Sequence, residues 1–288
     1  MSLNRKESVE RLTSREYWDS SYASLSLGEP TPGRFKALLK VTLGATVLEL
    51  TRDYRDYLMW DAIYPKFLFR KVGARVLEVG SAPGYHLIKL KDAFGFEPYG
   101  VEYSPRGVYL NRRLFESRGI NRSNVIHADF LSTAFQNRYE GYFDVVVSHG
   151  FIEHFTDVDS IVAKHLNLLA PGGRVVITIP NLRGINYVLA WLFRKEVIPL
   201  HNISIMCRDR FCKLFDRPDL TPLLCGYYGT FNFGLFNTRR GSMMRHVLSI
   251  CMEVQRVLNL IFRLAFRARG VETPYFSPYL IFIGTKKA

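Results

Sequence analysis

Two glycines and two acidic residues about a third of the way along the chain could bind a nucleoside. Residues Arg75–Gly84 read R-V-L-E-V-G-S-A-P-G, and Glu102 closes the next apolar run. Gly80 and Gly84 allow a ligand to approach the backbone, because a Cβ at these positions would collide with it. A carboxylate about 20 residues further on is the usual partner of a ribose diol. The pattern predicts an adenosine-type ligand at the carboxyl edge of a parallel sheet.

The spacing of this loop distinguishes between adenosine ligands. It reads E-x-G-x-x-x-G over Glu78, Gly80 and Gly84, and Ala82 stands where a dinucleotide fingerprint needs its second glycine. A phosphate-binding G-x-x-x-x-G-K-[ST] loop is absent as well. The loop instead resembles the first motif of class I S-adenosylmethionine-dependent methyltransferases. In that family the loop holds the methionine part of the cofactor, which carries no phosphate.

Further motifs follow in the order and at the spacing of the same family. Val125–Asp129 is a short strand that ends in an Asp, and in the family such an Asp takes the adenine amino group while the next apolar residue packs on the ring. An apolar strand at Tyr142–Ser148 and a P-G-G turn inside Leu169–Pro180 come next. Ser14–Tyr22 resembles the Y-W-D segment that often precedes the core. The resemblance implies S-adenosylmethionine as cofactor and S-adenosylhomocysteine as product. The residues expected to bind the cofactor are Glu78, Gly80, Ser81, Gly84, Glu102, Tyr103, Asp129, Phe130, Ser148 and Tyr17.

Catalytic candidates lie in the loop after the fourth strand. Methyl transfer from a sulfonium needs alignment and exclusion of water, and an oxygen acceptor also needs a base. His149 and His154 are the candidates for that base, because histidine can receive a proton near neutral pH. His201 is a third candidate from later in the chain.

The same loop bears on metal binding. Metal-using O-methyltransferases carry E-x-x-E-H here, whereas this chain reads G-F-I-E-H, so Glu153 and His154 match but Gly150 replaces the first carboxylate. Two ligands make a poor site for a divalent metal, and we expect none. The residues S-H-G-F stand where enzymes that methylate nucleobase amines carry N-P-P-Y or D-P-P-Y, which argues against that reaction.

Alternating strands and helices predict an α/β fold. The resemblance implies a Rossmann-like, seven-stranded, mostly parallel sheet with helices on both faces and a helical insertion before the last strand. We expect an N-terminal helical cap (1–70), a cofactor-binding core (71–181) and substrate-side insertions with the final strands (182–288). Five strands are predicted near 75–79, 97–102, 123–127, 143–148 and 173–179, and helices near 85–94, 105–118 and 157–169. The sixth strand is predicted at Gly229–Phe236 and the last at Pro278–Lys286.

Composition and charge limit the cellular setting. Residues 181–288 carry +10 of the net charge of +13, so the positive field surrounds the expected acceptor side and suits an anionic acceptor, a membrane surface or a nucleic acid. The four cysteines lack C-x-x-C spacing and are expected to be reduced thiols without zinc. A polar N-terminus and the lack of a long apolar run predict a cytoplasmic protein, either free or peripheral at the inner face of a membrane.

A long helix is predicted at 242–269. Its arginines form one stripe, and apolar residues fill most of the remaining surface. The helix could be buried against the core or a dimer mate, lie in a lipid interface, or act as a lid over an anionic substrate. The stripe comprises Arg245, Arg256, Arg263 and Arg267.

The favoured function is O-methylation of a small molecule or a sugar- or lipid-linked precursor. An RNA methyltransferase is the first alternative, motivated by the net charge and the mixed basic and aromatic residues at 201–217, although no RNA-binding module is recognisable. A non-catalytic relative that keeps the cofactor is the second. The sequence favours a small acceptor over nucleic acid and leaves open a peripheral membrane contact through 242–269 and a homodimer.

Overall fold

A single mixed sheet organises the protein. The computed structural model describes residues 10–23, 25, 50–236 and 242–288. Its seven strands lie in the order β3-β2-β1-β4-β5-β7-β6; β1 to β5 pair in parallel, and β7 runs antiparallel to both neighbours. The predicted Rossmann-like fold is confirmed. The strands are β1 (Arg75–Val79), β2 (Glu97–Glu102), β3 (Val125–His127), β4 (Phe143–His149), β5 (Leu169–Pro180), β6 (Leu220–Tyr228) and β7 (Tyr279–Lys286).

Helices surround this sheet. A π-helical turn (Leu58–Ile63) joins the helices Tyr54–Tyr57 and Tyr64–Phe67. Short 3₁₀ turns lie at Ile152–His154, after β4, and at Lys195–Leu200, after the helix Ile185–Arg194. The α-helices are α1 (Arg15–Ala23), α2 (Tyr54–Tyr57), α3 (Tyr64–Phe67), α4 (Tyr85–Phe94), α5 (Pro105–Ser117), α6 (Thr133–Arg138), α7 (Val158–Asn167), α8 (Ile185–Arg194), α9 (Arg208–Lys213) and α10 (Ser242–Phe266). None of the described helices is long and apolar enough to cross a bilayer.

The strands of the sheet centre are apolar on both faces because each face packs against helices. Val145 and Val147 of β4 belong to one buried cluster, whereas Val146 between them belongs to the other. This alternation follows from the two-residue period of a strand, and an unbroken apolar run is what a doubly covered parallel strand requires. The carboxyl ends of β1, β2 and β4 therefore meet at one edge of a rigid sheet.

The sixth strand differs from the sequence prediction. It runs over Leu220–Tyr228, and the predicted segment Gly229–Phe236 instead begins with two residues of positive φ, Gly229 (+101°) and Thr230 (+55°). Extended pairing stops there because a positive φ is incompatible with a strand. The observed strand contains Pro222, which is tolerated because β6 is an edge strand.

Two further details depart from the expectations. Cys212 in α9 and Cys225 in β6 form a disulfide with a Cα–Cα distance of 5.9 Å, so only Cys207 and Cys251 are free thiols. The long insertion helix ends at Phe266, because Arg267 adopts a φ of +51° and leaves the arginine stripe. Much of the predicted cap, residues 1–9 and 26–49, lies outside the described residues.

Candidate active site

A cavity of about 300 Å³ lies at the carboxyl edge of the sheet, and we call it the first cavity. Segments that follow β1, β2, β3 and β4 supply most of its wall, and α1 with the residues beside it closes the remaining side. This is the position at which open α/β sheets bind ligands. The lining residues are Arg11, Thr13, Trp18, Tyr22, Leu25, Gly80, Ala82, Pro83, Val101, Glu102, Tyr103, Ala128, Asp129, Phe130, His149, Gly150, Phe151, His154 and Phe155.

Glu102, at the end of β2, is a buried carboxyl that faces this cavity. The Ser104 backbone N–H donates to its Oε1 at 2.8 Å, and the Tyr22 hydroxyl approaches Oε2 at 3.5 Å. Burial raises the pKa of Glu102, while backbone N–H groups, including that of Ser104, counteract the rise. The long Tyr22 contact leaves Oε2 available to a stronger donor, such as a sugar hydroxyl.

Asp129 and Phe130 follow β3 and form the next part of the wall. Arg11 Nη2 donates to both oxygens of Asp129 at 2.6 Å, and the Leu131 N–H donates to Oδ1 at 2.9 Å. Phe130 is buried, and its ring meets that of Phe151 edge-on at 5.5 Å. A carboxylate beside a fixed aromatic surface suits a planar ring that carries an amino group.

The glycine loop is shaped by close packing. A Cβ on Gly84, whose φ is +102°, would lie 2.3 Å from Asn111 Oδ1, and a Cβ on Gly80 would lie 3.0 Å from the Phe151 ring. Asn111 Nδ2 in turn donates to Ser81 Oγ at 2.6 Å. Gly80 lines the first cavity, whereas Ser81 and Gly84 stand behind the wall and hold the loop in place.

Three more of the expected cofactor residues also lie outside the lining. Glu78 is bound by two histidines, Ser148 is fully buried, and the hydroxyl of Ser148 has no hydrogen-bond partner among the described residues. Tyr17 lies on α1, but Trp18 and Tyr22 of the same helix line the cavity instead. These two residues are four apart and share one helix face, which is the signal that could have identified them.

A second cavity of similar size, about 300 Å³, also borders the loop after β4. His149, Gly150 and His154 line both cavities. The second cavity is lined by Arg55, Asp56, Met59, His86, His149, Gly150, Glu153, His154, Thr178, Pro180, Leu182, Arg194, His201, Tyr228, Leu235 and Tyr279.

His149 is held by hydrogen bonds on both ring nitrogens. Its Nδ1 lies 2.9 Å from Glu78 Oε1, which also accepts from His86 Nδ1 at 2.9 Å. Burial would raise the pKa of Glu78, but the charge of His86 and the hydrogen bonds from both histidines lower it to about 2. Burial lowers the pKa of His149 to about 4, so its ring is neutral and Nδ1 carries the proton. Nε2 therefore accepts from the Tyr64 hydroxyl at 2.7 Å and has no free lone pair.

His154 and His201 have the opposite arrangement. Nδ1 of His154 donates to the Leu200 carbonyl at 2.7 Å, and Nδ1 of His201 donates to the Val197 carbonyl at 2.7 Å. Burial lowers the pKa of both rings, that of His154 to about 3. The ring centroids are 4.6 Å apart. Each ring is neutral and presents an Nε2 lone pair on the side of the second cavity.

Glu153 completes this group. It is buried, and burial raises its pKa to about 8. Within the described structure Oε2 lacks a hydrogen-bond partner, and Oε1 lies 3.9 Å from His154 Nε2. Glu153, His154 and His201 bring three possible metal ligands within 4.8 Å of one another, as do Glu78, His86 and His149. The sequence motif contains only Glu153 and His154 as possible ligands, and the structure adds His201 as a third.

Comparisons with known proteins show the family of the chain. A family model described as "Methyltransferase domain" matches residues 51–226, more than half of the chain. A demethylmenaquinone methyltransferase from Thermus thermophilus is 30% identical over 122 residues, which cover 42% of this chain and 53% of that protein. A tRNA U34 carboxymethyltransferase from Trichodesmium erythraeum is 23% identical over 186 residues, which cover 58% of this chain and 54% of that protein. The chain thus spans about half the length of these curated relatives.

The fold has solved counterparts. The structure of phosphoethanolamine N-methyltransferase 2 from Haemonchus contortus, in complex with S-adenosyl-L-methionine, superposes with a TM-score of 0.52 at 16% identity. The alignment covers 88% of this chain and 60% of that one. At this identity the likeness concerns the fold alone.

Proposed function

Because this chain belongs to the methyltransferase-domain family, we propose that it is an S-adenosylmethionine-dependent methyltransferase that methylates an oxygen of a small acceptor. The observation that carries the proposal is the common wall of the two cavities. His149, Gly150 and His154 line both, and Gly150 places no side chain between them. A donor on one side and an acceptor on the other would meet at this wall, protected from water.

The first cavity provides the cofactor contacts. Glu102 would accept hydrogen bonds from the ribose hydroxyls, and Tyr22 would move away from Oε2. Asp129 would accept from the adenine amino group once Arg11 releases it, while Phe130 packs on the ring. Bound S-adenosylmethionine supplies a methyl group that its sulfonium already activates. The protein therefore has to bind, orient and exclude water rather than form a covalent intermediate.

His154 is the residue that we assign as general base. Its Nδ1–H is fixed on the Leu200 carbonyl, so Nε2 keeps a lone pair beside both cavities. With S-adenosylmethionine bound, Nε2 would take the proton of the acceptor hydroxyl as that oxygen bonds to the methyl carbon and the carbon–sulfur bond breaks, which leaves S-adenosylhomocysteine. His149 is less suited to this role because the Tyr64 hydroxyl occupies its Nε2. We assign His149 a positioning role, because its hydrogen bond to Glu78 holds the wall between the two cavities in place.

The size and lining of the second cavity support a small acceptor. About 300 Å³ is at the lower end of the range for ligand pockets and is too small for a structured RNA element. Arg55 and Arg194 add positive charge, although Asp56 already pairs with Arg55 at 2.6 Å. A sugar or lipid-linked acceptor would place its reacting hydroxyl here and its remaining part outside. The relative named for tRNA and the net charge motivate the RNA alternative.

Methyl transfer to a panel of acceptors tests this function. The protein is incubated with methyl-labelled S-adenosylmethionine and with phenolic, sugar-linked or lipid-linked hydroxyl compounds, and with tRNA in a separate arm. We expect label on a hydroxyl compound and none on tRNA, and the label should disappear in His154→Asn. Label on tRNA alone would replace the proposal with the RNA alternative. Calorimetric binding of S-adenosylhomocysteine without turnover on any acceptor class would indicate a non-catalytic relative.

A further inference from the structure

α10 carries a second apolar surface besides the one that packs on the protein. Gln255 and Asn259 are buried on its inner side, where Asn259 Oδ1 accepts from the Tyr54 N–H at 3.3 Å and from Gln255 Nε2 at 2.9 Å. Six aliphatic residues elsewhere on the helix expose between 40% and 65% of their surface. We call these residues the outer seam: Val247, Ile250, Val254, Val257, Ile261 and Leu264.

The spacing of the outer seam alternates strictly between three and four residues. This period of 3.5 residues keeps the apolar positions aligned with a neighbouring helix, whereas a helix packed on a globular core follows a period nearer 3.6. At 100° per residue the centre of the seam lies about 130° around the helix from Gln255, so core packing does not explain it. Five of the six seam residues are β-branched, and Leu264 completes an apolar surface of the kind that coiled-coil helices bury against each other.

We propose that the outer seam binds the same helix of a second copy of this chain, as a two-stranded coiled coil. The seam residues expose roughly 550 Å² in each copy, so pairing would bury roughly 1,100 Å², above the roughly 1,000 Å² that a specific interface needs. The seam is about 26 Å long, which accommodates more than two heptads. The inner side of α10 stays on its own protomer, so pairing requires no rearrangement of the fold.

The charges around α10 favour a protein partner over a lipid surface. Arg256 pairs with Glu253 at 2.7 Å, and the Arg263 guanidinium stacks on the Tyr57 ring at 3.9 Å. Both arginines lie about 140° from the centre of the seam. A bilayer that received the seam would therefore not bring these charges to its head groups, which is the arrangement that interfacial helices use.

Sedimentation velocity of the full chain over a wide concentration range tests this proposal. We expect a dimer in the micromolar range or tighter, and at least 100-fold weaker association for Ile250→Glu and for Val257→Glu. Met252→Glu is the matched control, because Met252 is exposed on the same helix about 170° from the seam. Its association should equal that of the natural chain.

Three results would overturn the proposal: a monomer at all concentrations, a dimer that persists in both seam variants, or equal weakening by Met252→Glu. A monomer that binds anionic vesicles through the seam, with loss in Ile250→Glu and retention in Met252→Glu, would make the surface lipid-facing. A monomer that loses thermal stability in the seam variants would show that its own chain covers the seam. If circular dichroism shows that a glutamate variant does not fold, Val254→Ala with Val257→Ala replaces it, with an expected weakening of at least tenfold.

Discussion

The two cavities are built in different ways from the same chain. The first takes most of its wall from short segments directly after successive strands of the parallel sheet. The second combines α2, the start of α4, the loop after β4, the ends of α8 and β6 and the start of β7. The first cavity is thus local to each strand–loop unit, whereas the second depends on how distant insertions pack.

This difference explains what each cavity can recognise. Strand-end loops on a fixed sheet give a geometry that tolerates variation elsewhere, which suits a cofactor shared by many enzymes. The wall of the second cavity contains Arg194 and His201, which belong to the segment after β5, and Tyr228 at the end of β6. A change in any insertion would alter this wall, so under the proposed assignment the choice of acceptor can diverge while the cofactor contacts stay the same.

The largest expected effect separates chemistry from cofactor binding. His154→Asn should lower kcat about 1,000-fold, because general base catalysis contributes about 10²–10⁴ to the rate. Affinity for S-adenosylhomocysteine should change less than about threefold, since the assigned ribose and adenine contacts remain. Steady-state kinetics and calorimetry measure the two quantities. His127→Asn, at an exposed histidine at the end of β3, is the control. Retention of more than a tenth of kcat would exclude His154 as the base.

A change in the first cavity should have the reverse pattern. Glu102→Gln should weaken binding of S-adenosylhomocysteine about 100-fold, because hydrogen bonds to a charged acceptor contribute about 1.5–3 kcal/mol each. Binding of the acceptor should stay within a few fold. Glu97→Gln is the matched control, as it lies on the same strand and is exposed. Equal affinity for the natural chain and Glu102→Gln by calorimetry would remove the cofactor from this position.

The position of the first cavity was predicted from the sequence more accurately than the individual residues that line it. Glu102, Asp129 and Phe130 follow strands and reach the cavity, because a strand end fixes where the next residues point. Ser81 and Gly84 support the loop from behind, since loop motifs record packing needs as well as ligand contacts.

Long-range assembly was harder to predict. His201 stood in the sequence as a separate candidate, and only packing of the segment after α8 brings it beside His154. The prediction of the sixth strand was wrong. Pro222 and Gly226 interrupt the strand-like residue pattern of the observed edge strand, whereas Gly229–Phe236 has an alternating pattern but does not form a strand. The sequence pattern predicts four reduced thiols and no disulfide, because Cys212 and Cys225 become neighbours only in the folded protein.

The second cavity also contains a pH-dependent cost, which Glu153 carries. Burial raises the pKa of Glu153 to about 8 from an ordinary value of 4.5. A raised folded pKa means that the protonated form is the stable one, so the contribution to stability is complete below pH 4.5 and is lost as the pH rises towards 8. Glu153→Gln avoids this loss. Relative to the natural chain it should gain about 2.5 kcal/mol of unfolding free energy between pH 5 and pH 7.

Urea unfolding at the two pH values measures this difference. Glu97→Gln serves again as the control, because Glu97 is an exposed residue of β2 outside the second cavity. A pH-independent effect of Glu153→Gln would mean that Glu153 is ionised in the folded protein, for example through a bound cation at Glu153, His154 and His201.

The smallest expected effect concerns the segment that closes the first cavity. Arg11 binds both oxygens of Asp129, the acceptor that we assign to the adenine amino group. Because this pair is partly exposed, breaking it costs less than about 1 kcal/mol. Arg11→Ala should therefore tighten S-adenosylhomocysteine binding two- to fivefold, and the gain should vanish in the Asp129→Asn background. Arg15→Ala, at an exposed arginine of α1, should have no effect. Calorimetry of the natural chain, the two single variants and the double variant measures their affinities for S-adenosylhomocysteine. If Arg11→Ala weakened binding in both backgrounds, Arg11 would instead contact the bound cofactor.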